Sequence, residues 1–303
     1  MRNSDVLTSA FLSDLPRDRL HVEFRACKPA LRKFITGYNF YGIFGTGTQA
    51  RELYMPAWTG FRFNWTDLPW WGAYKAGQEQ NFGPSIILGP SVRNMSVHTP
   101  ADGISLGFSV TPLGSARFLN QPISGFEGNI VDLAQLWPDA SDIRSTIERL
   151  HDCDSVSQYL DTVLSAKMGP PSPDEMIIEN LMGLLATDTD IGVAEISAAL
   201  QCSLSKLRRI SLVHFGFPLK IMLRRTRFMR SLADIYRQDR GNWARYIDES
   251  YHDQSHFIKD FRYFMGITPG EFIATPSPMT ALSMLARSRA LGAPVVALHR
   301  PAD

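Results

Sequence analysis

Gly169-Pro170-Pro171-Ser172-Pro173 constrains this 303-residue chain more than any other segment. Proline has no amide hydrogen and its ring clashes with the preceding helical turn, so neither a helix nor a central strand runs through it. The segment reads as a linker over 169–173, and it separates two stretches of opposite character. Before it, short apolar runs alternate with glycine and proline. After it, apolar residues recur every three or four positions as far as Ala274. The pattern predicts a β-rich domain over 1–168 and an all-helical domain over 174–274. Thr275-Pro276-Ser277-Pro278 closes the second domain and opens a tail over 275–303. There Met279 to Leu291 has the composition of one more helix, followed by a frayed terminus.

The length suffices for two cores. With 44% apolar and 20% charged residues the chain reads as an ordinary soluble globular protein. Met1 to Leu20 is interrupted by charges and does not read as a signal peptide, and no run is apolar enough to span a membrane. Cys27, Cys153 and Cys202 stand far apart without CxxC spacing, which fits reduced thiols in a cytoplasm. The net charge of +1 speaks against a nucleic-acid partner only until the charges are located. From Glu195 to Asp234 no acidic residue intervenes. Eight basic ones do: Lys206, Arg208, Arg209, Lys220, Arg224, Arg225, Arg227 and Arg230. Such a run on helices fits a polyanion, and equally a solvated basic face.

In the N-terminal half, Phe61-Arg62-Phe63, Ser85 to Leu88, Asn94 to Val97 and Ile104 to Val110 read as strands between turn signals. Asp132 to Trp137, Asp142 to Leu150 and Val156 to Leu164 read as short amphipathic helices. Four of the six tryptophans, Trp58, Trp65, Trp70 and Trp71, fall within fourteen residues. Aromatic rings would suit an apolar pocket for a small effector, and would equally fill a core or cover an interface.

Beyond the linker, Val193 to Leu200 puts Val193, Ile196 and Leu200 on one helical face. Gln201-Cys202-Ser203 makes a tight connection, and Ser203 is a good cap for the next helix. That helix turns Leu204, Leu207 and Ile210 inward and Ser205, Arg208 and Arg209 outward. A short helix, a tight turn and a second helix with an arginine-rich face make a helix-turn-helix. The logic repeats with Trp243 to Glu249, a turn over Ser250 to His252, and Asp253 as cap. Phe257, Phe261 and Phe264 then stripe a core face, while Gln254, Ser255, His256 and Lys259 lie near the helix start, where bases would be met.

The run Tyr251-His252-Asp253-Gln254-Ser255-His256-Phe257-Ile258-Lys259-Asp260-Phe261-Arg262, continued by Phe264-Met265-Gly266-Ile267-Thr268-Pro269-Gly270-Glu271-Phe272, resembles the second motif of the AraC/XylS transcription regulators. Ser203, Leu207, Arg209, Gly216 and Arg227 fall at the spacing of that family's first motif and joining helix. The resemblance covers Asp174 to Ala274. It implies base-facing roles for Ser205, Arg208 and Arg209, and for Gln254, Ser255, His256 and Lys259. Phosphate contacts are expected from Lys220, Arg224, Arg225 and Arg227. The chain departs from the pattern at Ser197, where an Ala is usual, at Gln201 and Ser250, where turn glycines are usual, and at Ser211, where a core Phe is usual; Gln201 and Ser250 would need backbone that a non-glycine residue tolerates less well. The Trp243 segment is one residue short. Gly107 to Leu119 and Ile130 to Trp137 more loosely resemble cupin-like sensor domains.

The implied architecture is α+β: an N-terminal cupin-like β-barrel with flanking helices, and a C-terminal all-α domain with two helix-turn-helix motifs. The implied protein is not an enzyme and carries no cofactor. Its partners would be double-stranded DNA, a small-molecule effector, a second copy of itself and, for an activator, RNA polymerase. A cupin-type enzyme is the rival reading, but His21, His98 and His151 are too scattered for its metal. A regulator whose N-terminal half only dimerises is the other. His252 and His256, at metal-ligand spacing, and the His151 to Asp154 cluster lack further partners. Gly42 to Gly47 is not a phosphate-binding loop. Cys202 sits where a reactive thiol would control the first motif, or where a buried inert one would pack.

Overall fold

The computed structural model describes residues 20–44, 51–66, 70–73, 79–99, 102–119, 121–187, 191–237, 240–275 and 277–291. Among the described residues ten strands fill the first part: β1 (Leu20–Arg25), β2 (Ile35–Ile43), β3 (Arg51–Tyr54), β4 (Gly60–Thr66), β5 (Trp70–Ala73), β6 (Glu79–Phe82), β7 (Ser85–Leu88), β8 (Met95–His98), β9 (Gly103–Val110) and β10 (Ile130–Asp132). They make two antiparallel sheets, ordered β1-β2-β9-β4-β7-β10 and β3-β8-β5-β6. The β-rich reading holds. Among the described residues the strands form two hydrogen-bonded sheets, and both contribute side chains to one buried cluster.

Alternation along the central strands gives the larger sheet two unlike faces. Tyr38, Phe108 and Phe61 form one cross-strand row, and Phe40, Leu106 and Phe63 the next. This face packs under α2 (Ala140–Glu148) and α3 (Cys153–Lys167), with Trp137 stacked 4.9 Å from Phe61. The opposite face carries Asn39, Gly107 and Arg62 in one row and Tyr41, Ser105 and Asn64 in another. Gly107 keeps that face flat. A Cβ there would meet Arg62 Cδ at 2.6 Å, and its absence lets the guanidinium reach across to the Tyr41 ring, 4.8 Å away.

The helices that follow are α1 (Pro112–Phe118), before β10, and then α4 (Glu175–Thr187), α5 (Val193–Ala199), α6 (Leu204–Ile210), α7 (Leu219–Arg237), α8 (Gln254–Met265), α9 (Pro269–Ala274) and α10 (Pro278–Leu291). A single apolar core runs from the larger sheet through the helical part. The linker does not leave the two parts apart. Gly169 exchanges two 2.8 Å hydrogen bonds with Arg117 of α1, and Arg117 also pairs with Glu175 at 3.0 Å.

The helix expected from Met279 to Leu291 is present as α10, and the terminus expected to fray lies outside the described residues. Met279 of α10 enters a second core made by Tyr41, Ile43, Phe82, Ile86, Leu88, Met95 and Val97 of both sheets. Its amide donates to the buried Glu52 carboxylate of β3 at 3.1 Å, Thr280 Oγ1 donates to the Leu53 carbonyl, and Ser283 Oγ to Tyr41 Oη. Among the described residues, no helix is long and apolar enough to cross a membrane.

Candidate nucleic-acid interface

The first helix-turn-helix is α5, a turn over 200–203, and α6. The Gly192 amide donates to Glu195 Oε2 at 2.6 Å, which starts α5, and Ile196 is its buried anchor. Ser203 Oγ accepts from the Lys206 amide at 3.2 Å, which starts α6. Between them Gln201 takes φ +46, left-handed backbone that favours glycine. It is the lone non-glycine with positive φ among the described residues, so the expected strain is real here. The same expectation fails at Ser250, whose backbone needs no such angle. Cys202 in the turn is buried, as an inert thiol would be.

Leu207 and Ile210 turn inward, and Ser205, Lys206, Arg208 and Arg209 outward. One π-type turn, Ser211–Phe215, prolongs α6 and ends at Gly216 with φ +88. Ser211 is fully buried, and its hydroxyl donates to the Phe217 carbonyl, which compensates for the missing aromatic ring.

The second unit replaces the expected first helix by a kinked 3-10 segment, Arg240–Tyr246, in keeping with its missing residue. Trp243 still stacks on Phe257 at 5.9 Å. Asp253 caps α8, its Oδ1 accepting from the His256 amide at 2.7 Å. Phe257, Phe261 and Phe264 surround Phe228 of α7 at 6.2, 5.4 and 4.8 Å. Gln254, Ser255 and Lys259 are exposed on the far side, and His256 is half-buried against the Tyr251 ring. Arg262, not singled out from sequence, is exposed one turn further on.

The basic run on α7 behaves otherwise than expected. Arg225 is 1% exposed; its Nη2 donates to the Pro56 carbonyl at 2.9 Å and its guanidinium lies 4.5 Å over the Trp58 ring. Burial pushes this guanidinium down from 12.5 to about 9. It clamps the helical part to the N-terminal part and cannot reach a phosphate in this structure. Arg224 binds Asp260 at 2.6 Å and covers Tyr263 at 4.3 Å, and Arg227 donates to the Ser250 carbonyl over Tyr251. Arg230 donates to the Leu185 carbonyl. Much of the run is thus glue inside the protein. Arg208, Lys220 and Lys259 remain as exposed cations.

Two carboxylates that organise this surface were missed from sequence. Asp260 is buried between Arg224 and Tyr251, whose hydroxyl donates to it at 3.0 Å. Its signal was legible, because 257, 260, 261 and 264 share one helical stripe and a carboxylate on an apolar stripe needs partners. Asp174, at the end of the linker, is bound by Arg209 Nη2 at 2.6 Å, with Lys206 Nζ at 3.5 Å and His214 Nε2 at 4.0 Å. Burial opposes its charge, yet the Arg209 hydrogen bond and charge, with Lys206 and His214 close by, hold its carboxyl below the usual range.

The tryptophans divide. Trp58 packs between Phe215, Phe217 and Arg225, and Trp65, 1% exposed, donates to Glu148 under the Arg144 guanidinium. Neither is among the residues that line the cavity described next. Trp70 and Trp71 lie in β5, and their side chains lie outside the described residues. A cavity of about 590 Å³ opens elsewhere, where Arg93, Asn94 and Glu127 of the N-terminal part face Pro218, Ile221 and Tyr263 of the helical part. Among the described residues no group of three His, Cys, Asp or Glu side chains is placed to hold a metal.

No protein-family model matches the chain, and no curated protein matches it. Among solved structures, ToxT from Vibrio cholerae is 12% identical with a TM-score of 0.47, covering 80% of this chain and 98% of its own. ToxT with a bound unsaturated fatty acid is 13% identical with a TM-score of 0.45, over 82% and 96%. The AraC-like transcriptional activator CuxR is 12% identical with a TM-score of 0.28, over 71% and 88%. Likenesses at these values carry no weight beside the geometry of α5 to α8.

Proposed function

We propose that the chain is a sequence-specific, double-stranded DNA-binding transcription regulator of the AraC type. The observation that supports it most is a pair of capped helices, α6 and α8, braced by one helix, α7, each with an exposed polar or basic face. Arg208 suits bidentate contact with guanine, and Gln254 with adenine, in successive major-groove faces about 10 base pairs apart. Ser205, Ser255, His256 and Lys259 complete the base-facing sets, and Lys220 adds a salt-dependent phosphate contact. Arg224 and Arg227 act by fixing α8 against α7.

Effector sensing belongs to the proposal too, and the cavity between the two parts suits it better than Trp58 or Trp65. Its volume lies in the range of small-molecule sites, which favour domain boundaries. A homodimer, and RNA polymerase as the partner of an activator, complete the reading.

Selection of duplexes from a random library by the full chain tests it. A motif of two half-sites about one helical turn apart is expected. Arg208→Ala should relax preference within one half-site and weaken binding by about 1–3 kcal/mol. Recovery of no enriched sequence by a folded protein would refute the reading.

A further inference from the structure

Asp174 stands at the boundary between linker and helical part and is 6% exposed. Both of its carboxylate oxygens face cations of the first helix-turn-helix: Oδ2 accepts from Arg209, and Oδ1 lies 3.5 Å from Lys206. Arg209 keeps 53% of its side chain exposed, so it is not buried by packing and is held in place by this one carboxylate. The carboxylate is itself anchored. Glu175 beside it is bound by Arg117 of α1 and accepts from the Ser172 amide, and Gly169 is bound to Arg117 on both sides.

Resting on the DNA-binding reading, we infer that Asp174 is a positioning and specificity-determining residue: it holds Arg209 back from the bases that the resemblance would have it face, keeps Arg209 and Lys206 from the DNA backbone, and leaves the first recognition helix to read bases through Ser205 and Arg208. The competition favours Asp174 over a phosphate. A nearly solvent-excluded carboxylate attracts a guanidinium more strongly than a phosphate screened by water and salt does. The outcome bears on specificity because a regulator is judged by the ratio of specific to non-specific binding, and non-specific binding is set almost wholly by free cations. Two cations removed from the backbone lower the non-specific term while Arg208 keeps the base-reading term. Because Arg117 holds the residues around Asp174, the N-terminal part sets how firmly this restraint acts.

Binding of the full chain to a duplex of unrelated sequence, measured from about 50 to 200 mM salt, tests the inference. Asp174→Asn keeps the shape and removes the charge. It should tighten binding to unrelated DNA several-fold at low salt, and steepen the slope of log K against log salt by about 0.9 for each side chain that finds a phosphate. The ratio of selected to unrelated duplex affinity should fall. Adding Arg209→Gln and Lys206→Gln to Asp174→Asn should return the slope to that of the unmodified protein. A purely structural role would weaken binding and would not steepen the slope.

Where Asp174→Asn does not fold, Arg209→Gln in the unmodified background decides. An unchanged slope supports the inference, and a flatter slope shows Arg209 already gripping phosphate and overturns it. An unchanged slope in folded Asp174→Asn overturns it as well. An unmodified protein that binds no duplex refutes the DNA-binding reading, and this inference with it.

Discussion

Replacing Arg225 separates gripping DNA from clamping the protein. Its guanidinium makes one hydrogen bond, to the Pro56 carbonyl, and lies over Trp58 at 4.5 Å and Phe217 at 5.7 Å. A hydrogen bond from a charged donor contributes about 1.5–3 kcal/mol, and a desolvated cation–π contact about 2 kcal/mol. Against these stands the loss of hydration by a fully buried charge, several kcal/mol, which also lowers the guanidinium to about 9. The two sides nearly cancel. Arg225→Met fills similar length and places a thioether against the rings, so its stability should lie within about 1–2 kcal/mol of the unmodified protein. Arg225→Ala leaves a void beside Trp58 and should be about 2–4 kcal/mol less stable than the Met variant, a melting difference of roughly 5–10 °C. Thermal melting of both variants, with salt titration of DNA binding by the Met variant, gives the comparison. The salt slope of Arg225→Met should equal that of the unmodified protein. A flatter slope, with binding to all sequences weakened alike, would mean that Arg225 leaves Trp58 for a phosphate, and the clamp would be refuted.

Two further outcomes follow from strain and burial. Gln201→Gly should stabilise by about 0.5–1 kcal/mol, because left-handed backbone costs a non-glycine residue about 1–2 kcal/mol while glycine gives back part of that in chain entropy; an unchanged or lower melting temperature would contradict the φ of +46. Burial raises the Glu52 carboxyl above its ordinary 4.5, with the Met279 and Thr280 amides recovering only part, so the penalty is absent well below that value and full once pH passes the raised one. Glu52→Gln should therefore melt higher than the unmodified protein at neutral pH and equal it in acid, and a gain independent of pH would refute this account.

What the sequence made legible follows from the range over which each cause acts. Strands between glycines and prolines, and the caps Ser203 and Asp253, arise from neighbours in the chain and were placed correctly. Arg225 was legible in principle as well. With Met222, Met229 and Leu232 it occupies the buried stripe of α7, where a free cation is untenable. Charge counting without helical phase assigned it to DNA. The Asp174–Arg209 pair spans 35 residues, and no local pattern announces it. Strand pairing across two sheets and the seat of α10 on Glu52 and Tyr41 are likewise contacts between distant segments. The tryptophan cluster is ambiguous for another reason: aromatic density marks burial, and burial serves a core or an interface as well as a ligand.

The placement of α10 changes how the molecule can move. The helical part leaves the sheets through a linker fastened by Arg117, and the chain returns to the same sheets at Met279. It is a loop stapled at both ends. Were the Arg225–Trp58 contact to open, α5 to α9 could swing but not drift away, and re-docking would proceed at the high effective concentration of a doubly tethered body. A modest interface then suffices to keep the parts together most of the time. Cutting the chain after Thr275 would release one staple, uncover Met95 and Val97, and turn a swinging flap into a ball on a string.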